Sequence, residues 1–369
     1  MNKVNDLLYS QHKHFYDNNY ICHNGCLILE VNTEGDVLPC CPDWHNFYKF
    51  GNIYSESIEN IINSEKARIF RRSILNGTYE FCNKNSCMSH SIPKEEIKKY
   101  ILDDGSMNSF VETIRFAHER SCNLKCITCR NDYIFKDKNT EILNELVEKT
   151  FVPLASNAKC VHLNTNGEVF ASSHCEKLLK ALVQNNKNIK FDITSNGVLF
   201  TKENCVRLGI LNSLNDVGIS VHAATKETYN KITGSTPQSN NFEKVFNNIE
   251  FLLDLKKQGM LRSLQLIFVV HKYNYKEMID FLNLPIIRNN NIPVMFWEYR
   301  PWSSSSMSED YEDVAVWLKN NKEYKNFKKI ISNKIFDSEN CKIPALFSKI
   351  RCEQKQNLFG FFKWVKNDV

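Results

Sequence analysis

Arg120-Ser-Cys-Asn-Leu-Lys-Cys-Ile-Thr-Cys-Arg130 sets three cysteines, Cys122, Cys126 and Cys129, at C-x3-C-x2-C spacing. Thiolates this close together bind soft metals and iron–sulfur clusters. A 4Fe–4S cluster commonly takes four cysteines, so three leave one iron without a protein ligand. An open metal position is where a substrate or cofactor can bind, as in catalytic metal sites generally. The spacing alone also suits a zinc site, or scattered buried thiols in a chain with 14 cysteines. The segment Thr113-Ile-Arg-Phe-Ala-His118 runs straight into the triplet and reads as a strand with a loop after it.

From about residue 110, strand-like and helix-like segments alternate. That pattern predicts a parallel sheet with crossover helices. Residues 140–151 read as a helix with Ile142, Leu143, Leu146 and Val147 on one face. Cys160-Val-His-Leu-Asn-Thr-Asn-Gly-Glu-Val-Phe170 reads as a short second strand and a polar turn, and residues 178–182 as the next helix. Lys190-Phe-Asp-Ile-Thr-Ser-Asn-Gly197 gives a third strand and Val217-Gly-Ile-Ser-Val-His-Ala-Ala-Thr225 a fourth. Residues 242–255 carry apolar residues at helical spacing. Ser263-Leu-Gln-Leu-Ile-Phe-Val-Val270 is a fifth strand and Pro293-Val-Met-Phe-Trp-Glu-Tyr-Arg-Pro301 a sixth. In the sixth, Phe296, Glu298 and Arg300 alternate onto one face, with Met295, Trp297 and Tyr299 on the other.

Strand, three-cysteine loop and six βα repeats together resemble the radical S-adenosylmethionine (SAM) enzymes, over residues 110–302. The resemblance implies an α/β fold with a partial, six-stranded (β/α)6 TIM-like barrel. It implies a SAM-binding 4Fe–4S cluster on Cys122, Cys126 and Cys129, where reductive cleavage of SAM yields a 5′-deoxyadenosyl radical. Asn166-Gly167-Glu168-Val169 is similar to the family's second-strand Gly-Gly-Glu-Pro motif, with its first Gly and its Pro replaced. Asn166, Gly167 and Glu168 are thereby candidates for the SAM amino group. Ser195-Asn196-Gly197 resembles the family's third-strand end, and Ser220 matches a polar fourth-strand residue that bonds SAM. His222 shares the parity of Ser220, and its readings are pocket wall or structural histidine. Glu298 and Arg300 are either SAM or substrate ligands or a strand-end ion pair. An asparagine after the fifth strand, here Asn274, is also a family feature.

Upstream lie Cys22-His-Asn-Gly-Cys26, Glu34-Gly-Asp-Val-Leu-Pro-Cys40-Cys41 and Cys82-x4-Cys87, with Gly51-Asn52-Ile53 between. Gly35 suits a hairpin turn, where positive φ favours glycine. This stretch resembles the auxiliary-cluster modules called SPASM and twitch domains, which the family usually carries after the barrel. The resemblance implies a second 4Fe–4S cluster on Cys22, Cys40, Cys82 and Cys87, with Cys26 and Cys41 in reserve. A zinc ribbon is the alternative for two cysteine pairs. The expected division is an auxiliary module over 1–108, the barrel over 109–302 and a helical cap over 303–369. The cap has a serine linker at 303–306, helices at 314–318 and 344–350, and the aromatic run Leu358-Phe-Gly-Phe-Phe-Lys-Trp364. Its Cys341 and Cys352 read as packing thiols or as a hydrogen donor on a pocket wall.

Composition narrows the function classes. A net charge of +5 without a dense basic block gives no sign of nucleic-acid binding. No signal-like apolar core opens the chain and no run of 18 apolar residues occurs, so a cytoplasmic, membrane-free protein is expected. In a reducing compartment, cysteines are metal ligands or free thiols. Resemblance to SPASM and twitch enzymes implies a ribosomal peptide as substrate, for crosslinking, epimerisation or dehydrogenation, and a flavodoxin- or ferredoxin-type electron donor. The enzyme alternative is a sugar or other small polar metabolite. The non-enzyme alternative is an iron–sulfur electron carrier or zinc scaffold.

Overall fold

A computed structural model describes residues 13–40, 48–84, 87, 91–108, 111–163, 166–301 and 310–352. Cys41, the serine linker and the aromatic run at 358–364 lie outside the described residues. The fold is α/β with mixed strand pairing. Two compact units are present. The first takes residues 1–121, 135–193 and 205–215, and the second takes 122–134, 194–204 and 216–369.

In the first unit, β1 (Tyr20–Cys22) precedes a hairpin of β2 (Ile28–Val31) and β3 (Asp36–Pro39). Gly35 turns that hairpin at φ +77°, and an added Cβ would sit 2.5 Å from the Tyr54 ring. The Gly35 expectation therefore holds for two reasons, backbone sign and space. β4 (Gly51–Asn52) adds to β3, and β5 (Ser91–Pro93) pairs with β1. β6 (Thr113–Phe116), β7 (Cys160–Leu163) and β8 (Lys190–Ser195) follow in parallel, β8 being in this unit as far as Ile193. β2 pairs in parallel with β6, so the cysteine hairpin continues the same sheet.

Ile114, Phe116, Val161, Leu163 and Phe191 are fully buried on one face of that sheet. Each such side chain contributes roughly 1.5–3 kcal/mol by leaving water. The helix expected at 140–151 forms as Thr140–Leu146, then widens into a π-helical turn, Val147–Phe151, before Val152–Ala155. Pro153 follows that turn, and a proline lacks the N–H an α-helical ladder needs. Leu143 and Val147 are buried as expected, but Ile142 points to solvent at 42% exposure. The next helix is longer than expected, Ser173–Asn185, because Ser172 caps it by accepting from the Cys175 N–H at 3.0 Å.

In the second unit, β9 (Leu214–Ser220, in this unit from Asp216), β10 (Ser263–Val270), β11 (Val294–Glu298) and β12 (Cys341–Lys342) run in parallel. Leu264, Leu266, Phe268 and Val270 alternate as the buried face of β10. Phe268 packs on Phe281 and on Phe296, its register partner. Helix Lys226–Thr233 is capped by Thr225 and ends at Gly234 with φ +70°. After β11 come helix Tyr311–Val314, in place of the one expected at 314–318, and Tyr324–Ile331, which the sequence reading lacked. Residues 345–352 are helical, directly after Pro344.

Candidate functional site

The cysteine loop is tied down by backbone bonds within the second unit. The Cys122 N–H donates to Ile134 O at 2.7 Å, and Lys125 and Ile127 donate to Thr233 O and Ile232 O. The Tyr133 hydroxyl donates to Gly234 O at 2.6 Å. The loop thus rests on the end of helix Lys226–Thr233. Gly234 also permits this closeness, since a Cβ there would lie 3.1 Å from Lys125 O. Within the loop, Cys129 and Arg130 both donate to Cys126 O, which bends the backbone between the last two cysteines.

Cys122 is buried, whereas Cys126 and Cys129 are half-buried. Donors converge on the sulfurs. Asn196 Nδ2 lies 3.8 Å from Cys122 Sγ, and the Leu124 N–H lies 3.4 Å from it. Arg130 Nη2 donates to Cys129 Sγ at 3.4 Å, although Arg130 is only 6% exposed. Burial works against the Arg130 charge, but the thiolate charges of Cys129, Cys122 and Cys126 outweigh it and raise its pKa. Three soft ligands ringed by N–H donors and a guanidinium fit an anionic iron–sulfur cluster. Neither Asn196 as a sulfur donor nor Arg130 follows from the cysteine spacing.

In the first unit, Glu119 prepares the residue just before Cys122. It is fully buried and accepts from the Ser121 N–H at 3.0 Å and the Ser121 hydroxyl at 2.5 Å. Burial raises the Glu119 pKa, with those bonds opposing. The Glu168 N–H donates to Ser121 O at 2.6 Å. Gly167 allows that approach, because a Cβ there would meet Ser121 O at 2.3 Å and the Arg120 carbonyl carbon at 2.7 Å. Glu168 is 1% exposed, and its Oε1 accepts from the Phe170 N–H. Asn166 donates to Ala117 O at 3.1 Å.

The remaining expected residues separate by role. Ser195 is buried and its hydroxyl accepts from the Gly197 N–H. Asn196 Oδ1 accepts from the Val198 N–H, so Ser195-Asn196-Gly197 is a tight turn that aims the Asn196 amide at Cys122. A Cβ on Gly218 would lie 3.1 Å from Ile267 Cδ1, and alternation puts Ser220 on that same face. Ile219, on the other face, lies toward Val245 of helix Asn241–Lys257.

His222 is tied to the neighbouring strand. It takes φ +63°, and its Nδ1 accepts from the Val269 N–H at 3.0 Å. Its pKa falls to about 4, chiefly through burial, so the ring stays neutral. The imidazole replaces a backbone partner where β9 stops, which supports the structural reading. Asn274 bridges His222 O and Val269 O. Glu277, which the sequence did not single out, accepts from the Ala224 and Thr225 N–H groups and fixes the same corner. Glu298 and Arg300 pair with each other at 3.0 Å, next to Phe296, which packs on Phe336.

The N-terminal thiols also gather in the first unit. Cys82 lies close enough to Cys22 and Cys87 for their charges to act on it, and Cys26 likewise feels Cys22 and Cys82. Burial, then those charges, push the Cys82 thiol up to about 12 and Cys26 well above its ordinary value. The buried Arg71 opposes the rise at Cys26. A metal cluster would bind such thiols as thiolates, releasing their protons. Cys26, held in reserve on sequence grounds, belongs to this group. Cys40 sits at φ +48° at the hairpin exit, its N–H donating to Ile28 O.

A model of the radical SAM superfamily matches residues 117–284, and one of the SPASM iron–sulfur cluster-binding domain matches residues 22–88. The two matches support a radical SAM enzyme with a SPASM-like module. The two matched domains imply a SAM-binding 4Fe–4S cluster and an auxiliary iron–sulfur site. A probable GTP 3′,8-cyclase of Saccharolobus islandicus (strain Y.N.15.51 / Yellowstone #2) is 27% identical over 179 residues, 47% of this chain and 53% of the relative. The same protein of strain L.S.2.15 / Lassen #1 gives the same figures. The chain thus spans about half the length of the curated relatives it matches. Among solved structures, a histidine-tagged anSMEcpe with bound AdoMet is 18% identical over 63% of each chain, with a TM-score of 0.39. A methylornithine synthase is 12% identical over 65% of this chain and 68% of its own, with a TM-score of 0.39. No helix among the described residues is long and apolar enough to cross a membrane.

Proposed function

We propose that this radical SAM protein reductively cleaves SAM at the site of Cys122, Cys126 and Cys129 and directs the resulting radical to a ribosomal peptide. The carrying observation is the three-thiol loop with N–H donors from Asn196, Leu124 and Arg130 on its sulfurs. Bound there, a 4Fe–4S cluster with an open iron supplies the electron for SAM cleavage. Everything else falls to the chain. Glu119 and Gly167 set the loop entry through Ser121. Glu168, Gly167 and Asn166 are assigned to the SAM amino group, and Ser220 to its ribose or carboxylate. Ser195 shapes the turn that presents Asn196. Glu298 and Arg300 act as a strand-end ion pair. β6 to β11 are read as the six strands of a partial barrel, preceded by the auxiliary module.

The auxiliary cluster is assigned to Cys22, Cys26, Cys82 and Cys87, with Cys26 in place of Cys40. It passes an electron or anchors substrate. The electron donor is a flavodoxin or ferredoxin, and the reaction is placed in the cytoplasm. The peptide class rests on the SPASM match. The relatives named GTP 3′,8-cyclase favour a second reading, a nucleotide or other small polar metabolite.

Anaerobically reconstituted protein, given dithionite and SAM, should form 5′-deoxyadenosine and methionine. S-adenosylhomocysteine as the sole product would mean polar methyl transfer and end the proposal. Stimulation by GTP, but not by peptides encoded beside the gene, would select the second reading.

A further inference from the structure

A third group of metal-ligating side chains uses none of the residues of the two cysteine loops. Cys160, His162 and Asp192 each offer one ligand atom, and the three atoms lie within 4.8 Å of one another. Among the described residues, no other His, Cys, Asp or Glu group is drawn that tightly. Cubane thiolates bind different irons, so a set this close suits one ion rather than a cluster.

The strands themselves build the group. Cys160 and His162 are two apart on β7 and so share a face. Parallel register sets Asp192 of β8 directly beside His162. His162 Nε2 lies 2.8 Å from Asp192 Oδ2. Asn215 Nδ2 donates to Asp192 Oδ1 at 2.7 Å and orients the carboxylate. The side chains of His162 and Asp192 keep 30% and 17% exposure, which leaves an ion a way in.

We propose that Cys160, His162 and Asp192 bind one zinc-type divalent cation, with solvent as fourth ligand. Sulfur, imidazole and carboxylate are the ligand types that zinc takes, and three protein ligands leave a fourth position open. Binding releases the Cys160 proton to solvent. Thiolate and carboxylate then neutralise the ion, so Arg115, beside His162 in register on β6, faces no net positive charge at the site. Asn215 stands as the outer partner that holds a ligating carboxylate.

The test uses protein carrying both iron–sulfur clusters, incubated anaerobically with equimolar Zn2+ and freed of excess metal. Elemental analysis should find one zinc per chain beside the iron. Zinc K-edge absorption should show one sulfur at about 2.3 Å with nitrogen and oxygen neighbours. Cys160→Ala and His162→Ala should lose the zinc and keep the iron. No retained zinc, an all-sulfur shell (zinc in a cluster site), or zinc persisting in Cys160→Ala would overturn the assignment. If a variant loses iron too, the sulfur count of the parent's zinc shell decides.

Discussion

Gly167→Ala tests how the turn after β7 supports the cluster loop. The new methyl group would lie 2.3 Å from Ser121 O, 2.7 Å from the Arg120 carbonyl carbon and 2.9 Å from Ser121 N. All three are backbone atoms, so no side chain can rotate away. Overpacking of this kind costs roughly 1–3 kcal/mol. The displacement also breaks the 2.6 Å bond from the Glu168 N–H to Ser121 O. Losing that bond costs about 1 kcal/mol more. Together they come to about 2–4 kcal/mol, a fall in Tm of roughly 3–5 °C for a chain of this length. The damage lands on the residue before Cys122, so iron retention and SAM affinity should fall as well. Gly209→Ala is the control. It has φ +72° but nothing closer than 4.0 Å, so it should lose a little stability and keep iron and SAM binding. The assays are iron content, thermal unfolding and anaerobic calorimetry with SAM. If Gly167→Ala matches the parent in all three, the close approach and the role given to that turn are wrong.

Glu168→Ala should weaken SAM binding roughly tenfold to a hundredfold without iron loss, the ~1.5–3 kcal/mol of a charged hydrogen bond; unchanged affinity by calorimetry would remove Glu168 from the pocket. Asn196→Ala deletes an N–H donor to Cys122 Sγ. Such donors raise cluster potentials, so redox titration should find a more negative one, and an unchanged potential would leave Asn196 a turn former only. Cys26→Ala should strip auxiliary iron as fully as Cys82→Ala, while Cys40→Ala should keep it; the reverse ranking would restore Cys40 as the ligand. Asp192 is held to about 2, hydrogen bonds from His162, Asn215 and Cys160 overcoming the effect of burial. Its folded pKa lies below the unfolded ~3.9. Its contribution is therefore present above pH 4 and lost between about pH 4 and 2, and Asp192→Asn should flatten that part of the stability curve.

Legibility in the sequence followed chemistry that depends on spacing. The Cys122 loop, the fifth strand Ser263–Val270 and the Gly35 turn were readable because cysteine spacing, period-two burial and positive φ each leave local marks. Parity along a strand was less secure. His222 keeps the parity of Ser220 on paper, but β9 ends at Ser220 and the backbone turns to φ +63° two residues later. Once the ladder breaks, alternation no longer says which way a side chain points. The proposed preference for Cys26 over Cys40 as an auxiliary ligand meets a similar limit. Distance along the chain from Gly35 measures a hairpin, but the group at Cys82 is set by how helix His23–Leu27 presents Cys26 to it.

Glu119 and Arg130 expose a different limit. Each flanks the cysteine triplet and is charged, so each reads as an ordinary solvated loop residue. Both are buried in fact, and a buried charge persists only with partners. Glu119 finds the Ser121 N–H and hydroxyl, and Arg130 finds the thiol of Cys129. These partners lie one or two residues away, so the local chain closes on itself around each charge. The loop thus brings its own polar partners to each buried charge. Arg130→Gln keeps the hydrogen-bonding reach and removes the charge. If pre-formed charge is what the loop supplies, that variant should still take up iron but should reduce its cluster at a more negative potential. Equal potentials would reduce Arg130 to a packing residue.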